Sequence, residues 1–279
     1  MKKIILGNTG EEIPILGQGL WGISRIKGYF KGKEYYEQIK KTLKKGIELG
    51  MTHLDTAEFY GRGKAEQVLG ELIKDYSRED LFITTKLFPI HFTTNSIRKA
   101  ADHSLNRLGL DYIDLYLVHW PSRFISIKKE MRVFESLVKE GKTRYIGVSN
   151  FSVKQFKKAQ EALKTEQLVN NQLHINITNQ NYIHQSLSYY QKNKITVTAY
   201  SPLAHRGYTN LKGEIKENLE RIAQKYGVTI QQIAIAWLIN HKNIISIPKA
   251  FKINHVEDNA KAAEINLTKD EIELFYKFK

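Results

Sequence analysis

Short apolar runs alternate regularly with segments of helical period along this chain. Most of the runs are too short and too uniformly apolar to be amphipathic edge strands. The eight runs are LGQGLWG (16–22), MTHLD (51–55), LFITTK (81–86), YIDLYLVH (112–119), RYIGVSN (144–150), QLVNNQ (167–172), ITVTAY (195–200) and IISIPK (244–249). Such runs are typical of a parallel sheet that is covered on both faces.

The segments between these runs show helical spacing. The first apolar stripe is formed by Tyr36, Ile39, Leu43 and Ile47, with Gly50 placed to end the helix. Capping-box pairs predict later helix starts at Ser152–Gln155, Thr229–Gln232 and Thr268–Glu271. Eight strand-then-helix units in order predict an α/β fold of the closed (β/α)8 barrel type. Without a linker or low-complexity tract, residues 1–279 are expected to form a single domain.

The N-terminal residues predict a separate element. KIIL, the turn GNTG and EEIPIL follow one another and are typical of a β-hairpin, which we expect to close the bottom of the barrel. The apolar stretch after the first lysines stops after three residues, so a signal peptide is not expected.

The glycines of GQGLWG have the spacing of a dinucleotide-binding fingerprint, which would favour a doubly wound open sheet instead. That motif requires a helix to open at its third glycine. The residues that follow, ISRIKGYFKGKE (23–34), contain two more glycines and no apolar helical period, so they predict a loop. We therefore reject the Rossmann interpretation.

Composition narrows the possible functions. The chain has no cysteine, and its nine histidines show no metal-ligand spacing, so neither disulfides nor a metal site are expected. The net charge is +14, but the lysines fall mostly on helix faces among glutamates, and no basic tract is interleaved with aromatic residues. We therefore expect no nucleic-acid partner and no membrane partner, and a monomeric cytoplasmic protein that attracts anionic ligands.

Polar side chains stand at the ends of the predicted strands from the second strand onward. They are Asp55, Lys86, His119, Ser149 with Asn150, Gln172, Tyr200 with Ser201, and Lys249. Functional residues of a (β/α)8 barrel lie at the carboxyl ends of its strands, so these groups are predicted to share one rim with Tyr60 of DTAEFY. Taken singly, Asp55 also fits a helix cap, Lys86 a solvated lysine and His119 a structural histidine.

These residue types fit proton transfer beside a hydride donor. A free tyrosine has a pKa of about 10, and a neighbouring Lys86 ammonium is expected to lower the pKa of Tyr60. Asp55 is expected to keep Lys86 charged. His119 is expected to donate to a substrate carbonyl oxygen, so that Tyr60 protonates the alkoxide once hydride has arrived. No serine–base pair and no strand-end carboxylate pair favours hydrolysis.

The chain resembles the aldo-keto reductase superfamily from residue 1 to about 275. The motifs that carry the resemblance are GQGLW, DTAEFYG, the TK of the third strand, SLNRLGLDYIDLYLVHWP, RYIGVSNF, the glutamine of NNQ, TAYSPLA and IPKA, in the order of the family. The resemblance implies NAD(P) bound across the barrel mouth without a Rossmann motif. It implies a catalytic tetrad of Asp55, Tyr60, Lys86 and His119, and a substrate pocket of Trp21, Tyr60, His119 and Trp120.

The resemblance also implies the cofactor contacts. The carboxamide would meet Ser149, Asn150 and Gln172; the nicotinamide would stack on Tyr200; the pyrophosphate would meet Ser201 and Leu203; the 2′-phosphate would meet Lys249 and His255; and the adenine would meet Asp258 and Asn259. Two positions depart from the family pattern: Ala250 replaces a hydroxyl residue and His255 replaces an arginine. Lys252 is a candidate to compensate. Lys249 and the basic composition favour NADP(H) as the cofactor, and the two departures leave NAD(H) as the open alternative.

The segments that shape the substrate pocket in the family are short here. The stretch PSRFISIKKE after Trp120 is brief, and the chain ends at Lys279 soon after the helix that starts near Thr268. An open site suits small aldehydes, α-dicarbonyls and sugar-like carbonyls better than steroids. The expected function is reduction of aldehydes and ketones by NAD(P)H. The alternative is a nucleotide-sensing binding module with little catalysis.

Overall fold

A parallel sheet closed into a barrel is the centre of the computed structural model, which describes residues 1–204, 208 and 211–277. The strands are β1 Lys3–Ile5, β2 Glu12–Pro14, β3 Gln18–Gly19, β4 His53–Asp55, β5 Phe82–Leu87, β6 Ile113–Val118, β7 Thr143–Ser149, β8 Leu168–His174, β9 Thr196–Tyr200 and β10 Ile244–Ser246. Strands β3 to β10 pair in chain order. The backbone N–H of Gly17 donates to the carbonyl of Ser246 at 2.9 Å, which joins the first and last of them.

Helices alternate with these strands and cover the outside of the barrel. They are α1 Arg25–Glu48, α2 Lys64–Ile73, α3 Thr94–Leu108, α4 Ile127–Lys139, α5 Val153–Ala162, α6 Asn181–Lys192, α7 Glu214–Tyr226, α8 Ile230–Ile239, α9 Ile253–Lys261 and α10 Lys269–Leu274. The predicted (β/α)8 barrel is confirmed. Helix α7 is an addition to the eight units, since α7 and α8 both lie between β9 and β10.

Side-chain alternation along each strand explains why the strands are apolar throughout. In β6, Leu115 and Leu117 pack in the cluster that fills the barrel interior, whereas Tyr116 and Val118 pack against the helices. Both faces of the strand are therefore removed from water, as expected for a parallel sheet. The uniform apolar runs seen in the sequence follow from this double burial.

The N-terminal hairpin covers the amino-terminal end of the barrel, as predicted. Its strands β1 and β2 pair in antiparallel register. The N–H of Gly7 donates to the hydroxyl of Thr196 at 2.8 Å, and Thr196 begins β9. Leu6 and Ile13 are fully buried in the barrel-interior cluster. Arg144 bridges Glu11 of the hairpin to Asp114 of β6.

The prediction of a loop at residues 23–34 is wrong. Helix α1 begins at Arg25, where the Ser24 hydroxyl accepts from the N–H of Lys27 at 3.2 Å, and it is interrupted at Gly32, which has φ 66°. The apolar side chains of this first part are exposed: Ile26, Tyr29 and Phe30. The helical turns therefore carry no apolar stripe, which is why periodicity missed them. The Rossmann interpretation still fails, because the sheet is a closed barrel.

The predicted helix starts are confirmed. Ser152, Thr229 and Thr268 each form a complete capping box with the residue three positions later. Gly50 has φ 85° directly after the first helix, as its predicted terminating position requires. Among the described residues, no helix has both the length and the apolar character needed to cross a bilayer.

Several buried acids lie outside the rim of strand ends, and among the described residues Glu130 is the one of them that forms no ion pair. Glu130, in the first turn of α4, is 1% exposed, and its Oε2 has no hydrogen-bond partner among the described residues. Burial raises the pKa of Glu130 from its ordinary 4.5 to about 8. The native state thus holds a proton on Glu130 that the unfolded chain releases at lower pH.

We expect Glu130 to contribute a loss of stability as the pH rises from about 4.5 to about 8, because the native state must then bury an ionised Glu130. Glu130→Gln should remove this loss and raise the free energy of unfolding by about 2 kcal/mol at about pH 9, with little change at about pH 5. Urea unfolding at both pH values measures the effect. Exposed Glu161→Gln is the control, and an equal response from both variants would contradict the assignment to Glu130.

Candidate active site

A cleft of about 720 Å³ opens at the carboxyl ends of the barrel strands. Of the residues predicted for the site, these line it: Trp21, Asp55, Tyr60, His119, Trp120, Ser149, Asn150, Gln172, Tyr200, Ser201, Leu203, Lys249, His255, Asp258 and Asn259. Lys86, the remaining one, is fully buried behind the wall. The structure therefore brings together residues from every predicted strand end.

A buried ion pair lies at the base of the cleft. Lys86 Nζ donates to Asp55 Oδ1 at 2.6 Å and to the carbonyl of Thr56 at 2.7 Å. Its third contact is the hydroxyl of Tyr60 at 3.4 Å, near the long limit of a hydrogen bond. Burial lowers the pKa of Lys86, and the adjacent Asp55 carboxylate opposes that shift.

Asp55 is held on its other oxygen as well. Gln172 Nε2 donates to Asp55 Oδ2 at 2.7 Å. Helix α2, which follows β4, begins at Lys64 after the N-cap residue Gly63 and has no side-chain cap, so Asp55 does not cap it. Gln172, for which the resemblance implies a carboxamide contact, is thus also tied to the ion pair.

The predicted lowering of the Tyr60 pKa is wrong for this structure. Burial raises the pKa of Tyr60 well above its ordinary value of 10.0, and the Asp55 carboxylate raises it further. Lys86 does not reverse this, because its ammonium lies 2.6 Å from Asp55 and 3.4 Å from the phenol. Tyr60 therefore carries its proton throughout the neutral range.

His119 is a neutral imidazole. Burial, followed by the charge of Lys86, lowers the pKa of His119 to about 2. Its ring stacks on Trp120 with centroids 3.9 Å apart and meets the edge of the Tyr60 ring at 5.7 Å. A neutral imidazole carries one N–H, which is sufficient to donate one hydrogen bond to a carbonyl oxygen.

Hydroxyl and amide groups form a connected network on the next strands. Ser149 donates to the carbonyl of Gln172 at 2.9 Å, and Asn150 Nδ2 donates to the carbonyl of His119 at 3.0 Å. The Tyr200 hydroxyl donates to Asn150 Oδ1 at 2.9 Å. The Tyr200 ring stacks on His174 with centroids 5.2 Å apart. Tyr200 is thus fixed at both its hydroxyl and its ring.

A lysine lies against the part of the cleft wall that Trp21 forms. Lys249 Nζ lies between the rings of Trp21, at 5.1 Å, and Phe251, at 5.3 Å. Burial and the charge of Lys27 lower the pKa of Lys249. No carboxylate in the described part of the chain forms an ion pair with Lys249. Three further lining residues share one face of α9: His255, Asp258 and Asn259.

Sequence reasoning missed several residues of the cleft wall. Phe59 lines the cleft next to Tyr60, and its position in the motif DTAEFY could have indicated this. Thr229 and Gln231 line it from the start of α8, and the sequence had no signal for their approach. Among the described residues, no group of three or more His, Asp or Glu side chains is placed to hold a metal ion.

A model of the aldo/keto reductase family matches residues 16–278. The chain belongs to this family. It is 32% identical to methylglyoxal reductase YeaE of Escherichia coli strain K12, over 99% of this chain and 94% of that protein. It is 30% identical to glyoxal reductase of Bacillus subtilis strain 168, over 98% and 91% of the two chains.

Solved structures agree with this assignment. A thermostable aldo-keto reductase, Tm1743, in complex with the inhibitor epalrestat superposes with a TM-score of 0.92, at 40% identity and with both chains fully covered. An aldo-keto reductase from Klebsiella pneumoniae in complex with NADPH gives a TM-score of 0.88 at 30% identity, covering 99% of this chain and 95% of that one.

Breaking the buried ion pair of Lys86 and Asp55 should destabilise the protein. We expect Asp55→Asn to lower the free energy of unfolding by about 3 kcal/mol, because it leaves Lys86 buried without its counter-charge. Replacing both residues, with Lys86→Met as the second change, should recover part of that loss. Urea unfolding of the two single variants and the double variant measures the coupling.

The surface pair of Lys216 and Glu220, 3.5 Å apart, provides the control. Glu220→Gln should change the free energy of unfolding by less than about 0.5 kcal/mol. Strictly additive effects at Asp55 and Lys86 would mean that the two charges do not stabilise each other.

Proposed function

We propose that the protein reduces aldehydes, ketones and α-dicarbonyls to alcohols with NADPH, as an alcohol dehydrogenase of the NADP+ type. The observation that carries this proposal is the cluster of Tyr60, Lys86 and Asp55 beside His119 on one wall of the cleft. The relatives named as methylglyoxal and glyoxal reductases support the same reaction and favour small dicarbonyl substrates.

The chemistry of the cleft suits a nicotinamide dinucleotide along its length. Asn150 and Gln172 offer amide groups to a carboxamide, and Tyr200 offers a fixed aromatic ring. Lys249, a cation without a carboxylate partner among the described residues, suits a phosphate. The NADPH complex of the Klebsiella relative supports this choice of cofactor. When bound, the cofactor would supply the hydride.

The residues of the tetrad would divide the proton transfer between them. Tyr60, protonated at neutral pH, would donate its proton to the carbonyl oxygen of the substrate. Lys86 would stabilise the phenolate that remains, and Asp55 would keep the Lys86 ammonium in place. The neutral His119 would donate its N–H to the same carbonyl oxygen and orient it.

The substrate end of the cleft favours small, uncharged carbonyl compounds. Its walls are aromatic, with Trp21, Phe59 and Trp120 lining it beside Tyr60 and His119. Trp21 and Phe59 are each about half exposed, at 53% and 52%, so the mouth is open to solvent. The loop from β6 to α4 spans only residues 119–126, which leaves room for substrates of varied shape.

Tyr60→Phe is expected to lower kcat by about 100-fold or more, because it removes the proton donor but keeps the ring. The affinity for NADPH should stay within about twofold, since the lost hydroxyl is assigned to the substrate carbonyl. Loss of NADPH absorbance with methylglyoxal measures turnover, and quenching of tryptophan fluorescence measures cofactor binding.

Tyr190→Phe is the matched control. Tyr190 is fully buried, and its hydroxyl accepts from Asn171 outside the cleft. Its removal should affect stability and leave kcat unchanged. Near-normal turnover by Tyr60→Phe would refute the assignment of the acid. Tight NADPH binding by the wild-type protein without turnover on any carbonyl would favour the nucleotide-sensing alternative.

Lys249→Met should reduce the preference for NADPH over NADH by about tenfold or more, because it removes a charged partner of the 2′-phosphate. Measuring kcat/KM with each cofactor gives the ratio, with the exposed Lys154→Met as control. Lys252→Met tests whether Lys252 compensates for Ala250 and His255. An equal loss with NADPH and NADH from Lys249→Met would place Lys249 away from the 2′-phosphate.

A further inference from the structure

A mostly buried carboxylate connects the loop that carries Tyr60 to the loop that follows β5, the strand of Lys86. Glu58 lies two residues before Tyr60, and its side chain is 14% exposed. Its Oε1 accepts from the N–H of Phe88 at 2.5 Å and lies 3.0 Å from Nε2 of His91. Phe88 lies two residues after Lys86, directly after the end of β5, so this hydrogen bond joins the loop that carries Tyr60 to the residue that follows the strand of Lys86.

Ring contacts strengthen the same connection. The Phe59 ring stacks on that of Phe88 with centroids 4.1 Å apart and planes within 7° of parallel. The Phe88 ring also meets the edges of His119 and Trp120, each at 6.0 Å. Phe59, His119 and Trp120 line the cleft, whereas Phe88 supports them from behind. We name Glu58, Phe59, Phe88 and His91 the Glu58–Phe88 latch.

The latch matters because the hydroxyl of Tyr60 forms only one long hydrogen bond among the described residues. Lys86 is fixed by two short hydrogen bonds to Asp55 and Thr56, at 2.6 and 2.7 Å. The phenol contacts Lys86 only at 3.4 Å. The position of the phenol therefore depends on the loop that carries it, and that loop is held at Glu58.

We propose that Glu58 is a positioning residue for proton transfer. Through the backbone of Phe88, its carboxylate sets the distance between the Tyr60 hydroxyl and the Lys86 ammonium. Misplacing a reacting group by about 1 Å costs about 100-fold in rate. The proposal rests on the proposed function, since Glu58 acts through Tyr60 as the acid.

A carboxylate elsewhere in the chain provides a matched control. Glu135 Oε1 accepts from the backbone N–H of Lys164 at 2.6 Å and of Thr165 at 2.8 Å. Glu135 is buried on α4 and does not line the cleft. It therefore resembles Glu58 in accepting backbone N–H groups, but it lies away from Tyr60 and Lys86 in the structure.

The experiment compares Glu58→Ala, Glu58→Gln and Glu135→Ala in the full chain. Glu58→Ala should lower kcat by about tenfold or more with NADPH affinity within about twofold, because only the reacting geometry changes. Its primary isotope effect with deuterated NADPH should rise as hydride and proton transfer become slower. Glu58→Gln keeps an oxygen for the Phe88 N–H and should restore kcat to within about threefold.

Glu135→Ala should lose stability and keep wild-type kcat. The proposal is overturned if folded Glu58→Ala keeps wild-type kcat, or if Glu135→Ala lowers kcat equally. Should Glu58→Ala not fold, Glu58→Asp shortens the side chain by one methylene, so the loop must move for the carboxylate to keep the Phe88 N–H. Unchanged kcat in folded Glu58→Asp would then overturn the proposal. Near-normal turnover by Tyr60→Phe would instead reject the proposed role of Tyr60 as the acid, whereas a Tyr60→Phe variant with strongly reduced kcat beside a fully active Glu58→Ala rejects only the latch.

Discussion

The cleft is built around one energetically costly interaction, the buried ion pair of Lys86 and Asp55. Taking both charges out of water is unfavourable unless their geometry is good and their remaining hydrogen-bonding groups are satisfied. Adjacent parallel strands meet this condition, because β4 and β5 bring the two side chains to the same end of the barrel. Thr56 and Gln172 satisfy the rest. The charge pair is thus available to the Tyr60 phenol without being exposed to solvent.

The sequence was sufficient to predict the barrel, because strands that are buried on both faces are apolar throughout. A strand such as β6 is apolar on both faces, and capping residues such as Ser152 mark the following helix. The first turns of α1 left no such signal. They are held by the Ser24 cap and expose Ile26, Tyr29 and Phe30, so neither burial nor period identifies them.

The site could be located from the sequence to the extent that strand ends meet at one rim. Its electrostatics could not, because a pKa depends on distances that the sequence does not contain. Lys86 was expected to lower the pKa of Tyr60, yet it lies closer to Asp55, and burial decides the direction. The same applies to Phe88, whose contacts with Phe59 and Trp120 depend on how neighbouring loops lie beside each other.

Closure of the barrel also has a consequence for synthesis of the chain. Gly17 bonds to Ser246, Gly7 to Thr196, and Glu11 to Arg144, so the first segment made pairs with segments made much later. Until Arg144, Thr196 and Ser246 have been synthesised and have left the ribosome, one edge of β3 is unpaired and the hairpin has no barrel end to cover. Such long-range pairing slows folding and leaves strand edges open to other chains. The nascent protein therefore completes its fold only when nearly the whole chain has emerged.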